Sequence, residues 1–415
     1  MIPAGTRVVL GLAGLLTIAA RPAIAQTEPP VDELPVEEPP DVPPIDVHGF
    51  VSQGAFMSTD HDYLGHSERG TVEFTEAAVN LSREVADRLR VTLQIFTRDL
   101  GPIGDYRLVL DLGFVDYRWR QWLGLRAGRV KMPFGLYNEI NDVPSGRLAI
   151  LLPQSIYPIT SRDFLLGLTG ASIYGSPLLG EAGALDYQLY GGTIFIDDAD
   201  NPQIDEIDVR HVVGAQLFWR PPVEGLRVGG SWLNVRMDLD FQLDQATIDQ
   251  LVAAGSVPAD FDGQARVSLH DANLLVGSAE LAWRSWLFAG EYSRWLVHSE
   301  TRPDGLVPDP DSDSERFYAL AAYRLDDTYT FGGYYSVKFA DTDDRTGEGA
   351  AYPESHLAYQ ADLALTARYD VNEFWLFKAE GHFIQGTSDL AAADNPIDER
   401  EKNWGLFLVQ TVLSF

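Results

Sequence analysis

The stretch RLRVTLQIFTR at residues 88–98 decides the fold. In an extended chain successive side chains point to opposite faces, so Leu89, Val91, Leu93 and Ile95 share one side. Arg90, Thr92, Gln94 and Arg98 share the other. The same alternation recurs downstream. Over 329–339, Tyr329, Phe331, Tyr335, Val337 and Phe339 oppose Thr330, Ser336 and Lys338. Over 357–369, Leu357, Tyr359, Leu363, Leu365 and Tyr369 oppose Gln360, Asp362, Thr366 and Arg368. Trp375, Phe377, Ala379 and Phe383 face away from Lys378, Glu380 and His382. From residue 45 onward the helical period of 3.6 is scarce, and Gly, Pro, Asp and Asn clusters separate the alternating segments.

Two environments produce such a pattern. In a soluble sandwich the apolar face is the core and the polar face meets water. In a membrane barrel the apolar face meets lipid and the polar face lines a lumen. The strands are long enough for a tilted bilayer crossing. Aromatics crowd the strand ends (Trp119, Trp122, Trp283, Trp286, Tyr323, Tyr329, Tyr369, Trp375), where interfacial girdles sit. The connections also alternate in length. Short turns fall near 84–87, 120–121, 176–183, 221–225, 284–285, 326–327 and 370–372. Long loops fall near 58–70, 99–105, 132–166, 197–207, 242–264, 301–313, 341–354 and 387–401. Together they join about 16 strands, at roughly 23 residues per strand with its connection. The expected fold is an all-β transmembrane antiparallel β-barrel.

Composition bounds the function. The 415-residue chain has no cysteine, which removes a disulfide framework, a thiolate zinc site and a thiol nucleophile. A net charge of −30 argues against nucleic acid as a partner. No apolar run after the N-terminus is long enough for a spanning helix. Residues 1–25 read as a secretory signal, with Arg7, an apolar core over 8–20 and Ala23-Ile24-Ala25 as the cleavage site. Residues 26–45 form an acidic Pro-rich leader, extended rather than core-forming. The barrel occupies 46–415. No Walker loop, HExxH, GxSxG or dinucleotide fingerprint occurs. His298-Ser299-Glu300 suggests a hydrolase, but neighbours on a strand face opposite ways. No metal site or cofactor is expected.

The insert at 132–166 is long for a structureless connection, and such loops are usually functional. Phe134, Leu136, Tyr137, Ile150, Leu151, Leu152 and Tyr157 make it too apolar to stay in water. It is expected to fold into the bore and narrow it. The run VDYRWRQWLGLRAGRVKMPFGLYNE (115–139), followed by LLPQSIYP (151–158), resembles outer-membrane porins, specifically porin-like proteins of the phosphate-selective porin superfamily. The chain's end, KNWGLFLVQTVLSF (402–415), is similar to the C-terminal strand of Gram-negative porins, whose aromatic end the barrel-assembly machinery recognises. The resemblance implies a water-filled outer-membrane channel in a homotrimer, contacting lipid and lipopolysaccharide and passing small hydrophilic solutes. In such porins the third outer loop bends inward, and the count from turn chemistry makes 132–166 that loop.

The expected constriction sets Arg90, Arg98 and Arg126 on the wall against Glu139 and Asp142 on the loop. Their transverse field would order water and orient dipolar solutes. Arg129 and Lys131 share parity with Leu123 and Leu125, which places them at the outer rim. Further basic lumen candidates (Arg227, Arg324, Lys338, Arg368, Lys378) are interleaved with Glu76, Asp186, Glu280, Glu291, Asp362 and Glu380. That mixture, with outer-loop acids such as Asp197, Asp198, Asp200, Asp304, Asp309, Asp341 and Asp344, points to a weakly cation-preferring or unselective pore. The alternatives are a phosphate- or other anion-selective channel and a non-conducting barrel that anchors the envelope.

Overall fold

Each alternating segment pairs antiparallel with its chain neighbours, and the last pairs with the first. The computed structural model describes residues 44–101, 103–195, 204–303, 311–349, 352–391 and 394–415. The signal segment and nearly all of the acidic leader lie outside the described residues, as do Asp197, Asp198, Asp200, Asp304 and Asp309. The strands are β1 (Asp46–Ser58), β2 (Thr75–Ala86), β3 (Leu89–Asp99), β4 (Val109–Arg120), β5 (Leu123–Lys131), β6 (Gly167–Gly175), β7 (Ala184–Thr193) and β8 (Ile204–Arg220). They continue as β9 (Leu226–Gln242), β10 (Gln264–Trp283), β11 (Trp286–Arg302), β12 (Asp311–Arg324), β13 (Tyr329–Phe339), β14 (Tyr359–Asp370), β15 (Trp375–Gly386) and β16 (Asn403–Ser414). The sixteen form one closed barrel, the number read from the turns.

The seam joins β1 to β16 in register from Phe50↔Ser414 to Ser58↔Leu406. It continues one residue further, where Gly49 and Phe415 exchange both backbone hydrogen bonds at 2.9 Å. A Cβ at Gly49 would lie 2.4 Å from the Phe415 ring, so only glycine lets the terminal aromatic close the seam. Asx turns set the short connections. Asp326 accepts from the amides of Thr328 and Tyr329 at 2.8 Å, and Asn372 accepts from Phe374 and Trp375 at 2.9 and 3.0 Å.

Side-chain alternation becomes outside and inside. Phe377 and Phe383 are exposed on the outer face, while Lys378, Glu380 and His382 are buried inside. Aromatic rings next to the short turns pack as a belt: Trp119 with Trp122 (5.6 Å), Trp286 with Tyr323 (4.8 Å), Tyr329 with Tyr369 (5.2 Å) and Trp375 with Phe377 (4.9 Å).

The structure departs from strict alternation in a few places. Leu357 lies in a 3-10 turn ahead of β14 and is buried. Val337 is buried despite its outward parity, and Phe96 sits inside under the Arg162 guanidinium, 3.9 Å from the ring centre. The loop between β9 and β10 contains a helix, Gln245–Ala254, missed by the strand pattern. Its ends carry ordinary signals: Asp244 caps the Thr247 amide (2.9 Å), and Gly255 adopts φ 72°.

Seven of the nine tryptophans are exposed on the barrel exterior. In bilayers doped with brominated lipids, tryptophan emission is expected to be quenched more by bromine near the headgroups than by bromine near the chain ends. Equal quenching at both depths would contradict the aromatic belt.

Candidate functional site

β5 stops at Lys131 because Pro133 has no amide to continue a ladder. The 132–166 loop then runs inside the wall. Its base is tied at both ends: Met132 N–H donates to the Leu166 carbonyl (2.7 Å), and Asn138 Nδ2 donates to the carbonyls of Met132 and Leu165 (both 2.8 Å). Asp142 is buried between Lys131, to which it is hydrogen-bonded, and Arg162 at 3.8 Å. Arg162 also pairs with Asp111 of β4 at 3.0 Å. Gln94 donates to both acids, to Asp111 at 2.8 Å and to Asp142 at 3.0 Å. Burial pushes the Asp142 carboxyl up, but Lys131 and Arg162 outweigh it and hold the group below its ordinary value.

The first crossing reaches β8 to β11. Gly135 N–H donates to Ser231 Oγ (3.0 Å), and its carbonyl accepts from Gln216 (2.9 Å). The Tyr157 hydroxyl accepts from the amides of Leu136 (2.9 Å) and Tyr137 (3.0 Å) and donates to Glu291. Glu291 also receives the Leu136 amide (2.8 Å), Ser278 (2.5 Å) and Tyr318 (2.8 Å). Burial, with the nearby Glu291 charge, raises the Tyr157 pKa well above its ordinary value and keeps the hydroxyl a donor. Gly135 has φ 58°, and a Cβ there would lie 2.3 Å from the Tyr157 hydroxyl.

The second crossing reaches β13 to β15. Glu380 accepts the amides of Ile150 (2.8 Å) and Leu151 (2.9 Å) and is flanked by Thr366 (2.5 Å) and His382 (3.0 Å). His382 in turn contacts Asp362 at 2.9 Å. Lys378 donates to the Pro144 carbonyl at 2.6 Å, and Arg368 to the Ser145 carbonyl at 2.7 Å. Apolar packing backs both crossings. Phe134, Leu152, Ile156 and Tyr157 pack with Leu233, Leu274 and Leu320 of the wall. Ile150, Leu151 and Ile159 pack with Leu406, Leu408 and the outer-loop residues Tyr63, Leu64 and Leu390.

The expected constriction residues fall in different places. Arg90 and Arg126 meet in a cavity of about 900 Å³ near the short turns, with Arg118, Asp116 and Tyr174. Arg126 pairs with Asp116 at 2.9 Å and lies over Phe114, 4.8 Å from its ring centre. Arg98 is buried beneath the loop, donating to the Ile159 carbonyl at 3.5 Å. Asp142 is buried in the loop base, whereas Glu139 is exposed and its carbonyl accepts from Lys131 (2.6 Å). Lys131 reaches the loop at Glu139 and Asp142, while Arg129 stays against the wall and donates to the Asp111 carbonyl of β4 (3.1 Å).

Toward the short turns, wall arginines carry carboxylate partners: Arg220–Asp186 (2.7 Å), Arg227–Glu280 (2.8 Å), Arg324–Asp327 (3.4 Å) and Arg368–Asp370 (2.7 Å). Sequence reasoning did not single out Arg162 or Ser231, had Tyr157 only as one of the loop's apolar residues, and had Glu291 and Glu380 only as lumen acids. No local pattern marks them, because each makes a defining contact far along the chain: Arg162 to Asp111 spans 51 residues, Ser231 to Gly135 spans 96, Tyr157 to Glu291 spans 134 and Glu380 to Ile150 spans 230.

No known family profile matches the chain, and no curated protein matches it in sequence. Solved structures do match. An anion-selective porin from Comamonas acidovorans superposes with TM-score 0.56 at 9% identity, covering 90% of this chain and 100% of that one. OmpT of Vibrio cholerae in its trimer form gives 0.54 at 12%, covering 90% and 100%. The outer-membrane channel DcaP of Acinetobacter baumannii gives 0.53 at 12%, covering 91% and 99%. At such identities the likeness is one of fold: the chain is a sixteen-stranded barrel of the kind outer-membrane porins adopt.

Two outcomes test the loop's seating. Gly135→Ala is expected to destabilise the folded barrel by about 1–3 kcal/mol, read by thermal unfolding in detergent, through backbone strain and the clash with Tyr157. Asp142 has a depressed pKa, so its contribution is present at neutral pH and fades as pH falls through and below the ordinary carboxylate range, near roughly 4. Proteolytic cleavage of the loop should therefore rise on acidification. Asp142→Asn should already cleave faster at neutral pH and respond less to acid.

Proposed function

We propose that the chain is an outer-membrane channel of a Gram-negative bacterium through which ions and small hydrophilic solutes diffuse passively. The observation that carries this reading is the wall itself: sixteen strands with no free edge, apolar outside, and charged residues inside a circumference too wide for wall side chains to fill. A polar lumen inside an apolar jacket suits a path for water-soluble cargo. Lipid and lipopolysaccharide contact the exterior in this reading, and the assembly machinery takes hold of β16 with its terminal Phe415. The protomers form a homotrimer, as the porin resemblance implies. The leader at 26–45 faces the periplasm once the signal at 1–25 is removed.

The charged lining is assigned to Arg90 and Arg126 with Glu139, while Arg98 and Asp142 hold the loop. Because most mouth arginines are neutralised by carboxylates, the expected selectivity is weakly cationic or absent. One observation favours an anion-preferring channel instead: Arg90 and Arg118 border the 900 Å³ cavity without an ion pair among the described residues.

Bilayer recording in a salt gradient separates these readings. Openings, from the intact chain or from one with 144–157 shortened, are expected to reverse near zero or slightly toward the cation potential. Strong anion preference would select the second reading. Complete silence from both folded forms would exclude a channel and leave the anchoring role.

A further inference from the structure

Buried inward side chains run all the way round the wall that encloses the 132–166 loop. Each of the sixteen strands carries at least one buried inward side chain, and the ladder of registers links them around the wall. Val130, Leu168, Val212, Leu233 and Ala364 are 0% exposed, and Leu408 is 1% exposed. A column of water crossing the barrel would have to wet a continuous stripe of wall or loop. Each strand interrupts such a stripe with a buried inward side chain, and within the loop 149–153 and 155–157 are buried as well.

The loop is also held by specific anchors rather than by packing alone. Glu291 and Glu380, on strands four apart, each bind loop backbone amides, and Lys378 and Arg368 bind its carbonyls. Buried carboxylates stay inside only when such donors surround them, so the closed arrangement is a defined state and not a loose collapse.

We propose that the barrel rests closed at its waist and that residues 144–157 are a gate, latched to the wall by Glu291 and Glu380, which must leave before solute passes. This rests on the channel reading above and adds its regulation. The gate is a strap between two stable walls, so its release needs no change in the strands.

The absence of cysteine allows a single reporter. Ala364→Cys sits in the buried cluster that holds the strap residues Ala149, Leu152, Ile156 and Tyr157, and its reaction with a charged thiol reagent reads opening directly. In the intact barrel, labelling is expected to be slow and bilayers nearly silent. With 144–157 replaced by a short Gly-Ser linker, labelling should accelerate about tenfold or more and steady channels appear. Should that variant fail to form a heat-modifiable barrel, the Glu291→Gln/Glu380→Gln pair replaces it with the same readouts. If intact and altered chains label and conduct alike, the gate is wrong and the channel stands. If neither conducts while both are folded, the channel reading fails and takes the gate with it.

Discussion

A flat sheet leaves the amides and carbonyls of its two edge strands without partners. One hydrogen-bonded seam supplies them. The antiparallel pairing of β1 with β16, ending in the exchange between Gly49 and Phe415, converts an open sheet into a ring. Once the ring is shut, each strand has one face outward and one inward. The apolar residues then have a single place to go, and the charged ones are committed to the interior.

That commitment creates a second problem. Sixteen strands enclose more space than their own side chains occupy. Here the 132–166 loop takes up the space, bringing Phe134, Leu152, Ile156 and Tyr157 to the wall's inner apolar patch. Its backbone also needs partners, since a loop removed from water carries the same unpaired groups as a strand edge. Glu291, Glu380, Lys378 and Arg368 supply them. The charges inside this barrel therefore have two distinct jobs. Most of those near the short turns pair with each other, Arg90 and Arg118 excepted, and those at mid-height hold the loop.

Much of the wall was legible in the residue order. Turn chemistry at Asp326 and Asn372 marks hairpin ends, and period-two alternation names the faces, which together give the sixteen strands. The connections at 176–183, 221–225 and 284–285 match the gaps between observed strands. The exceptions have local causes. The helix at Gln245–Ala254 sits in an outer loop whose Asp244 and Gly255 caps are helix signals, but the surrounding strand texture hid them. Leu357 and Val337 are covered rather than lipid-facing, because a side chain's parity says where it points and not what lies over it.

The sequence by itself determined that these segments are strands, which side of each is apolar, and how many there are, because those properties depend on neighbours one or two residues apart. Only the tertiary structure decided which charges meet. Ile150 and Leu151 find Glu380 some 230 residues away, and Asp142 disappears into the loop base while Glu139, three positions earlier, stays in water. Such pairings follow from how the closed ring sets strand height and from the route of one loop across the bore. Neither is encoded in any short window of residues.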